Sequence, residues 1–185
     1  EKLTIVIDKE GFLKSYKDHL PIDQIKKSQK NTKDIFHIQS NQKLLIFVSS
    51  GRVFTINPNE LPSGKSNPKS YIYFIETESS EKLVEALIPE ENKNCLLASS
   101  NGKGFIVNTN SLISNQKKGK KLFNLKNSDI LIKVLNVNNK YIAITNKSGK
   151  LLIFNIDSLP ILQKGSGVQL MKLKKNELIA DIKLI

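Results

Sequence analysis

Tryptophan is absent from this chain, and cysteine, methionine and arginine occur once each. The lone cysteine, Cys95, rules out an internal disulfide framework and fits a reducing compartment. One cysteine and two histidines, His19 and His37, do not make a thiolate–imidazole zinc site. No apolar run approaches the roughly 18 residues that a membrane-spanning helix needs. A Gly-x-x-x-x-Gly-Lys-Ser/Thr phosphate loop is missing, and neither histidine carries a paired nucleophile signature. None of these absences leaves room for a catalytic set. With no initiator Met and no charged-then-apolar leader, the 185 residues read as a piece of a longer product.

Lysine is what the chain has in excess, and it brings the formal net charge to +12. The charge is segregated. Residues 24–33 carry Lys26, Lys27, Lys30 and Lys33 with no acid, and residues 114–126 carry Lys117, Lys118, Lys120, Lys121 and Lys126 with none. Acids gather instead at Glu76, Glu78, Glu81, Glu85, Glu90 and Glu91. A surface charged only for solubility would mix the signs, so this pattern points to a polyanionic partner. An AT-rich coding sequence would also raise Lys, Asn and Ile, but it would not sort the lysines into loops.

An eleven-residue pattern recurs three times. It runs from Gly51 to Leu61, from Gly102 to Leu112 and from Gly149 to Leu159. The residue after the glycine is basic each time (Arg52, Lys103, Lys150). Position +6 is Asn57, Asn108 or Asn155, and position +8 is Asn59, Asn110 or Asp157. A looser copy starts at Gly11 and closes at Leu20. The glycines are 40, 51 and 47 residues apart, the period of a propeller-type blade. Each lies between β-branched runs, at a turn rich in Ser, Asn, Asp and Gly, as tight hairpins require. The Asx residues at +6 and +8 are expected to cap the strand by bonding the downstream backbone. The leucine at +10 is expected to anchor in the core.

Further apolar stretches precede each hairpin (35–38, 83–88, 130–137), and short ones follow it (71–74, 122–125, 168–173). Together they give about four strands per unit. The expectation is an all-β chain with four hairpin-bearing units, over approximately 1–33, 34–80, 81–126 and 127–175, plus a partial further unit at 176–185. Helix is expected to be scarce: 81–88 alone could pass for a turn or two, and its place in the repeat argues for strand. Cys95 opens a buried strand and reads as core. Asp34, Asp129 and Asp157 occupy unrelated repeat positions, which speaks against a ring of carboxylates of the kind a propeller hydrolase would use. A protein-interaction propeller remains as an alternative, though Trp-Asp and Gly-His blade signatures are missing.

Specific stretches carry a family likeness. They are Thr4-Ile5-Val6-Ile7 with Lys9 and Gly11-Phe12, then Val48-Ser49-Ser50-Gly51-Arg52, then Leu96 through Val107, and finally Ile144 through Gly167 with its Ser158-Leu159-Pro160-Ile161-Leu162-Gln163-Lys164-Gly165-Ser166-Gly167 ending. In this the chain resembles the C-terminal DNA-binding domains of bacterial type IIA topoisomerases, nearest to that of the topoisomerase IV A subunit and related to that of the gyrase A subunit. The resemblance implies a β-pinwheel of four-stranded blades that exchange a strand with their neighbours, in a ring or an open C. It implies a basic rim that binds and bends duplex DNA, in the bacterial cytoplasm at the nucleoid. ATP and Mg2+ would serve other domains of the parent enzyme, whose partners would be the topoisomerase IV B subunit and a second A subunit. No cofactor or metal is expected in these residues, nor the strand-cleaving tyrosine, so Tyr16, Tyr71, Tyr73 and Tyr141 are given no such role. Gyrase relatives carry a Gln-Arg-Arg-Gly-Gly-Lys-Gly box. Gln116-Lys117-Lys118-Gly119-Lys120-Lys121 and Gln163-Lys164-Gly165-Ser166-Gly167 echo it only in part, which disfavours gyrase-type wrapping.

The residues expected to meet DNA are Lys117, Lys118, Lys120, Lys121 and Lys164, then Lys65, Lys69, Arg52, Lys103 and Lys150. Glycines among these lysines would let backbone approach phosphate. With one arginine and no base-reading array, contacts should be mostly to the backbone and specificity low.

Overall fold

Each hairpin glycine turns the chain through a left-handed conformation, with φ of +84° at Gly11, +88° at Gly51, +82° at Gly102 and +90° at Gly149. A side chain would be strained there, so the repeat needs glycine at its first position. The computed structural model describes residues 1–77 and 81–185; Glu78 of the acidic segment lies outside them.

The four hairpins are β1 (Lys2–Asp8) with β2 (Phe12–Lys17), β4 (Leu44–Val48) with β5 (Arg52–Ile56), β8 (Asn94–Ser99) with β9 (Lys103–Asn108), and β12 (Tyr141–Asn146) with β13 (Leu151–Asn155). On the first strand of each lies the apolar stretch that follows it in sequence: β3 (Thr32–Gln39), β7 (Leu83–Leu87), β11 (Leu131–Asn136) and β15 (Ile179–Leu184). A two-residue strand from beyond the next hairpin completes the other edge. These are β6 (Lys69–Ser70) on β2, β10 (Lys120–Lys121) on β5 and β14 (Val168–Gln169) on β9. The sheets are therefore β3-β1-β2-β6, β7-β4-β5-β10, β11-β8-β9-β14 and β15-β12-β13, all antiparallel and forming an open rather than closed array.

Long-range pairing revises several expectations. Residues 178–185 do not begin a further unit, because β15 pairs with β12 and finishes the fourth sheet. The sheets cut across the sequence units: every exchanged strand leaves one unit to complete the sheet of the one before. Tyr71–Phe74, expected as strand, is a 3-10 turn just after β6. Within 81–88 the chain forms strand β7, Leu83–Leu87, as the repeat position indicated. The one α-helix among the described residues, α1 (Ile22–Ser28), overlaps the lysine-rich segment 24–33, which read as loop. Ile25 is its buried residue, and Lys26 and Lys27 sit in its last turn, where the helix dipole favours cations.

The cap works as its residue types indicate. Asn57, Asn108 and Asn155 each accept a hydrogen bond through Oδ1 from the backbone N–H two residues on, at 3.1, 3.0 and 2.9 Å. Each opens a 3-10 turn that delivers the +10 leucine to the interior; Leu61, Leu112 and Leu159 are all buried. The core consists of three clusters, one between each pair of neighbouring sheets. Ile5, Ile7 and Phe54 belong to the first, Phe47, Phe105 and Phe123 to the second, and Ile106, Ile142 and Met171 to the third.

Two glycines have a packing role that their lysine neighbours obscure. A Cβ on Gly119 (φ +67°) would lie 2.6 Å from the Val53 carbonyl oxygen, and one on Gly167 (φ +69°) would lie 2.6 Å from that of Gly104. They let an exchanged segment lie flush on its neighbour's strand, whereas the sequence suggested an approach to phosphate. Gly149 has nothing within 4 Å of its Cβ direction. Gly119→Ala is therefore expected to cost more than Gly149→Ala. The latter should lose only the roughly 1–2 kcal/mol of a left-handed non-glycine residue. Chemical denaturation of both variants measures this, and equal losses would contradict the packing role.

Candidate nucleic-acid interface

The segments that carry the predicted contact lysines occupy equivalent places in the fold. Each runs from a buried +10 leucine to an exchanged strand on the outer edge of the preceding blade. The first, 62–70, holds Lys65 and Lys69; the second, 113–121, holds Lys117, Lys118, Lys120 and Lys121; the third, 160–169, holds Lys164. Lys65, Lys69, Lys117, Lys118, Lys121 and Lys164 are all exposed.

These segments are fixed at several points. The Ser15 N–H donates to the Pro62 carbonyl at 2.9 Å, and the Ile106 N–H to the Pro160 carbonyl at 3.0 Å. The Ser114 N–H finds the Thr55 hydroxyl at 3.1 Å. Neighbouring segments also join each other. The Glu76 N–H donates to the Lys117 carbonyl at 3.3 Å, and the Asn124 N–H to the Gly165 carbonyl at 2.8 Å. The basic residues thus project from a backbone held by hydrogen bonds rather than from free loops. Their charge is presented with less ordering entropy left to lose.

The predicted residues fall into separate groups, one per blade edge. Arg52 joins the second segment: its Nη1 donates to the Lys118 carbonyl at 3.2 Å, and its backbone pairs with Lys121. Lys103 pairs with Gln169 on the edge that also carries Lys164. On the first edge the Lys69 ammonium lies 4.0 Å from the centroid of the exposed Tyr73 ring, a cation–π contact. Lys150 stands at the fourth hairpin, which has no exchanged strand among the described residues, beside Glu177. Lys120 is different from its neighbours. It is half-buried and its ammonium donates to the Ser111 carbonyl, so it ties the segment down instead of offering charge outward.

Two other acids brace hairpin tips. Asp129 accepts from the Ser100 hydroxyl at 2.8 Å and the Asn101 N–H at 2.9 Å. Glu177 accepts from the Asn146 amide at 2.8 Å and the Lys174 N–H at 3.0 Å. A hydrogen bond from the Ser148 hydroxyl, chief among these contacts, holds the Glu177 carboxyl below its ordinary range. Each acid lies two residues before the strand that starts at Leu131 or Ile179, a spacing that was visible in the sequence. Cys95 is buried in β8, and burial pushes its thiol up to about 11, so it is a core residue without nucleophilic character at neutral pH.

A second feature escaped the sequence reading. Asp34, Glu85, Lys133 and Asp181 line one cleft of about 690 Å³ at which β3, β7, β11 and β15 meet. They are the same position of the repeat, each beside a β-bulge, paired with Ile7, Phe47, Ala98 and Thr145. Of the three acids weighed in the sequence only Asp34 lies here, together with Glu85 and Asp181, while Asp129 and Asp157 are elsewhere. The local pattern hid this because the bulge residue breaks the count along the strand. Lys133 bridges to Asp181 at 3.3 Å. Desolvation works against the Asp181 carboxylate, yet the Ile182 N–H and Lys133 hold it below its ordinary range. Asp34 and Glu85 go the other way, burial pushing both above the usual carboxylate range. Among the described residues no group of three or more His, Cys, Asp or Glu is placed to hold a metal ion.

Comparison with known proteins places the chain in a wider setting. The family described as DNA gyrase C-terminal domain, beta-propeller, matches residues 93–138 and 140–185. The A subunit of DNA topoisomerase 4 from Rickettsia bellii is 36% identical over 186 residues, covering 100% of this chain and 25% of the relative. The chain thus spans about a quarter of the length of the curated relatives it matches. Among solved structures, the E. coli ParC C-terminal domain superposes with a TM-score of 0.88 at 22% identity, over 100% of this chain and 80% of that one. A DNA gyrase A C-terminal domain superposes with a TM-score of 0.63 at 19% identity, over 98% and 64%.

The cleft makes a prediction about pH. A carboxyl whose folded pKa is raised costs stability when ionised, and the cost disappears as pH falls through that value. Glu85→Gln should therefore raise the melting temperature at neutral pH by a few degrees at most, with the gain fading as pH falls through the raised value and gone below the ordinary glutamate range. Thermal melts from pH 7 to pH 4 test this, and a pH-independent gain would remove ionisation as the cause.

Proposed function

Because this chain belongs to the family of C-terminal β-propeller domains found in the A subunits of gyrase and topoisomerase IV, we propose that it binds duplex DNA without sequence preference and bends it. The observation that carries this reading is the repetition of the basic segment. Three structurally equivalent, hydrogen-bonded segments place lysines on successive blade edges of a +12 chain. Lysines released from internal pairing suit phosphate, a diffuse target without directional demand, better than base edges. Among the described residues Lys133–Asp181 is the one side-chain salt bridge, so the surface lysines keep their charge for a partner. Bending duplex over a 20–30 base-pair site costs roughly 1–6 kcal/mol, which contacts spread over successive edges can offset.

In the parent enzyme this domain would present DNA for ATP-dependent strand passage carried out by other domains, with Mg2+ and the B subunit acting there and a second A subunit completing the enzyme. Decatenation and relaxation of chromosomal DNA in the cytoplasm follow from that role. Among the described residues no helix is long and apolar enough to cross a membrane. A gyrase-type wrapping domain is the second reading. The incomplete Gln-Lys-Lys-Gly-Lys-Lys echo at 116–121 counts against it, since the glycine present, Gly119, is engaged with Val53 and Phe54.

Binding to a random duplex of ~40 base pairs across a salt series tests the proposal. Affinity should fall steeply with salt, with a slope of about −0.9 per phosphate neutralised. Charge reversal at Lys117, Lys118 and Lys121 should weaken binding and flatten the slope by about 0.9 for each phosphate no longer neutralised, with the fold intact. Lys120→Gln should instead lower stability. No binding at low salt would overturn the reading, and unchanged affinity in the triple variant would remove the second segment from the interface.

A further inference from the structure

The residues that follow an exchanged strand have one burial pattern on the second and third edges and another on the first. The first residue after the strand is buried in every case: Tyr71, Leu122 and Leu170. The next is Phe123 or Met171, 0% and 2% exposed, where the first edge has Ile72 at 46%. The one after that is the exposed polar Asn124 or Lys172, where the first edge has Tyr73 at 68%. Phe12, opposite Ser70 on the neighbouring strand, adds another exposed apolar side chain. A single exposed apolar residue needs no explanation, but a group of them on a lysine-bearing edge marks an interaction site.

The turn that carries Tyr73 is fixed to the blade. The Tyr71 N–H donates to the Gly11 carbonyl at 2.9 Å, and its hydroxyl donates to the Glu81 carbonyl at 2.8 Å. The Ile72 N–H reaches the Ser70 hydroxyl at 3.4 Å. The Tyr73 ring has Phe74 edge-on at 5.2 Å and the Lys69 ammonium at 4.0 Å from its centroid. Basic groups flank this turn on both sides. Lys65 and Lys69 precede it, and beyond it the Glu76 N–H donates to the Lys117 carbonyl at 3.3 Å. Phe74 and Lys117 line one cleft of about 300 Å³, so the turn lies where the first basic segment meets the second. The acids on this path are Glu60, in the same cleft, and the exposed Glu76.

We propose that Tyr73 inserts between two stacked base pairs of a duplex that passes from the first basic segment to the second, so that part of the bend is concentrated in a kink at this turn. The insertion rests on the DNA reading and adds to its phosphate contacts a contact with one base step. Phosphates on either side of that step meet Lys65 and Lys69 before the turn and Lys117 after it. A cation–π contact at an exposed site is weak, so a phosphate draws the Lys69 ammonium away and frees the ring face for a base. Stacking against the ring then offsets the cost of parting the step, which lysines alone cannot do. A tyrosine has only two side-chain torsions and this one stands on an anchored turn, so little ordering entropy is left to lose. Pyrimidine–purine steps part most easily, and the domain should favour a duplex that contains one without reading its base edges. The flanking lysines select a polyanion over a protein surface as the cover of this patch.

The probe is a duplex of ~20 base pairs whose single pyrimidine–purine step, at the centre, carries 2-aminopurine in place of adenine. The fluorescence of 2-aminopurine rises when the base unstacks. At saturation the chain should raise that fluorescence, and energy transfer between the duplex ends should report the bend. Tyr73→Ala should lose the fluorescence rise and about 20° or more of the bend, whereas Tyr73→Phe should keep both. The salt slope of Tyr73→Ala should be unchanged, because no phosphate contact is removed. Its affinity should stay within about tenfold of the parent chain, the scale of one stacking contact. As Tyr73 is exposed, both variants should melt with the parent. Binding with the expected salt slope but without a fluorescence rise would overturn the insertion alone. So would a rise and a bend that survive Tyr73→Ala, and either result would leave the patch to a protein partner. Failure to bind any duplex at low salt would instead overturn the DNA reading, and the insertion with it.

Discussion

Everything in this fold depends on how closely one backbone can approach another at the hairpin glycine. The glycine carbonyl of each of the first three blades is the acceptor for a strand that arrives from the next unit. That contact needs a residue with positive φ and no Cβ, and the second glycine on the incoming side, Gly119 or Gly167, removes the other obstacle. Hydrophobic burial holds neighbouring sheets together, with Phe47, Phe105 and Phe123 fully enclosed in the middle cluster. Burial is non-directional, however, and would tolerate several registers. The glycine contacts select one.

Charge follows from the same geometry. Since an exchanged segment must cross the outer edge of its neighbour, it cannot be buried, and its side chains face solvent. The sequence fills these obligatory surface positions with lysine in two of the three strands, Lys69 and Lys120–Lys121, and in the approach to each. Structural necessity and partner recognition thereby share the same residues. Lys120 shows how the two duties divide, for its ammonium is spent on the Ser111 carbonyl while Lys121 is exposed on the same short strand.

The legible parts of this protein were those encoded within a dozen residues. The hairpins, the Asn caps at 57, 108 and 155 and the buried leucines at 61, 112 and 159 all express local rules of φ, side-chain hydrogen bonding and periodicity. What was hidden depended on distance along the chain. Residues 178–185 look like a beginning, because nothing local reveals that Ile182 lies opposite Ile144. The cleft residues Asp34, Glu85, Lys133 and Asp181 share a structural position but not a residue type, and a bulge displaces each from the strand's alternation. Helix α1 was missed for a different reason: it follows the first hairpin, where the other units send a strand to an earlier sheet, so the repeat offered no template for a helix there. Among the contact lysines, the sequence identified the segments but could not tell Lys120 from Lys121, a distinction made only by the Ser111 carbonyl nine residues earlier.

Strand exchange also has a consequence for synthesis. The sheet begun by β1 and β2 receives β6 only after the second hairpin has been made, and the sheet begun by β4 and β5 waits for β10 beyond the third. A chain emerging from the ribosome is therefore always one blade in arrears, carrying a three-stranded sheet with an unfilled edge until the following unit appears. The edges of the first three sheets are short and are met in cis by the segment that follows the next hairpin, which keeps the interval during which each could join another nascent chain brief. The order of elements along the polypeptide is in this sense an assembly schedule as well as a topology.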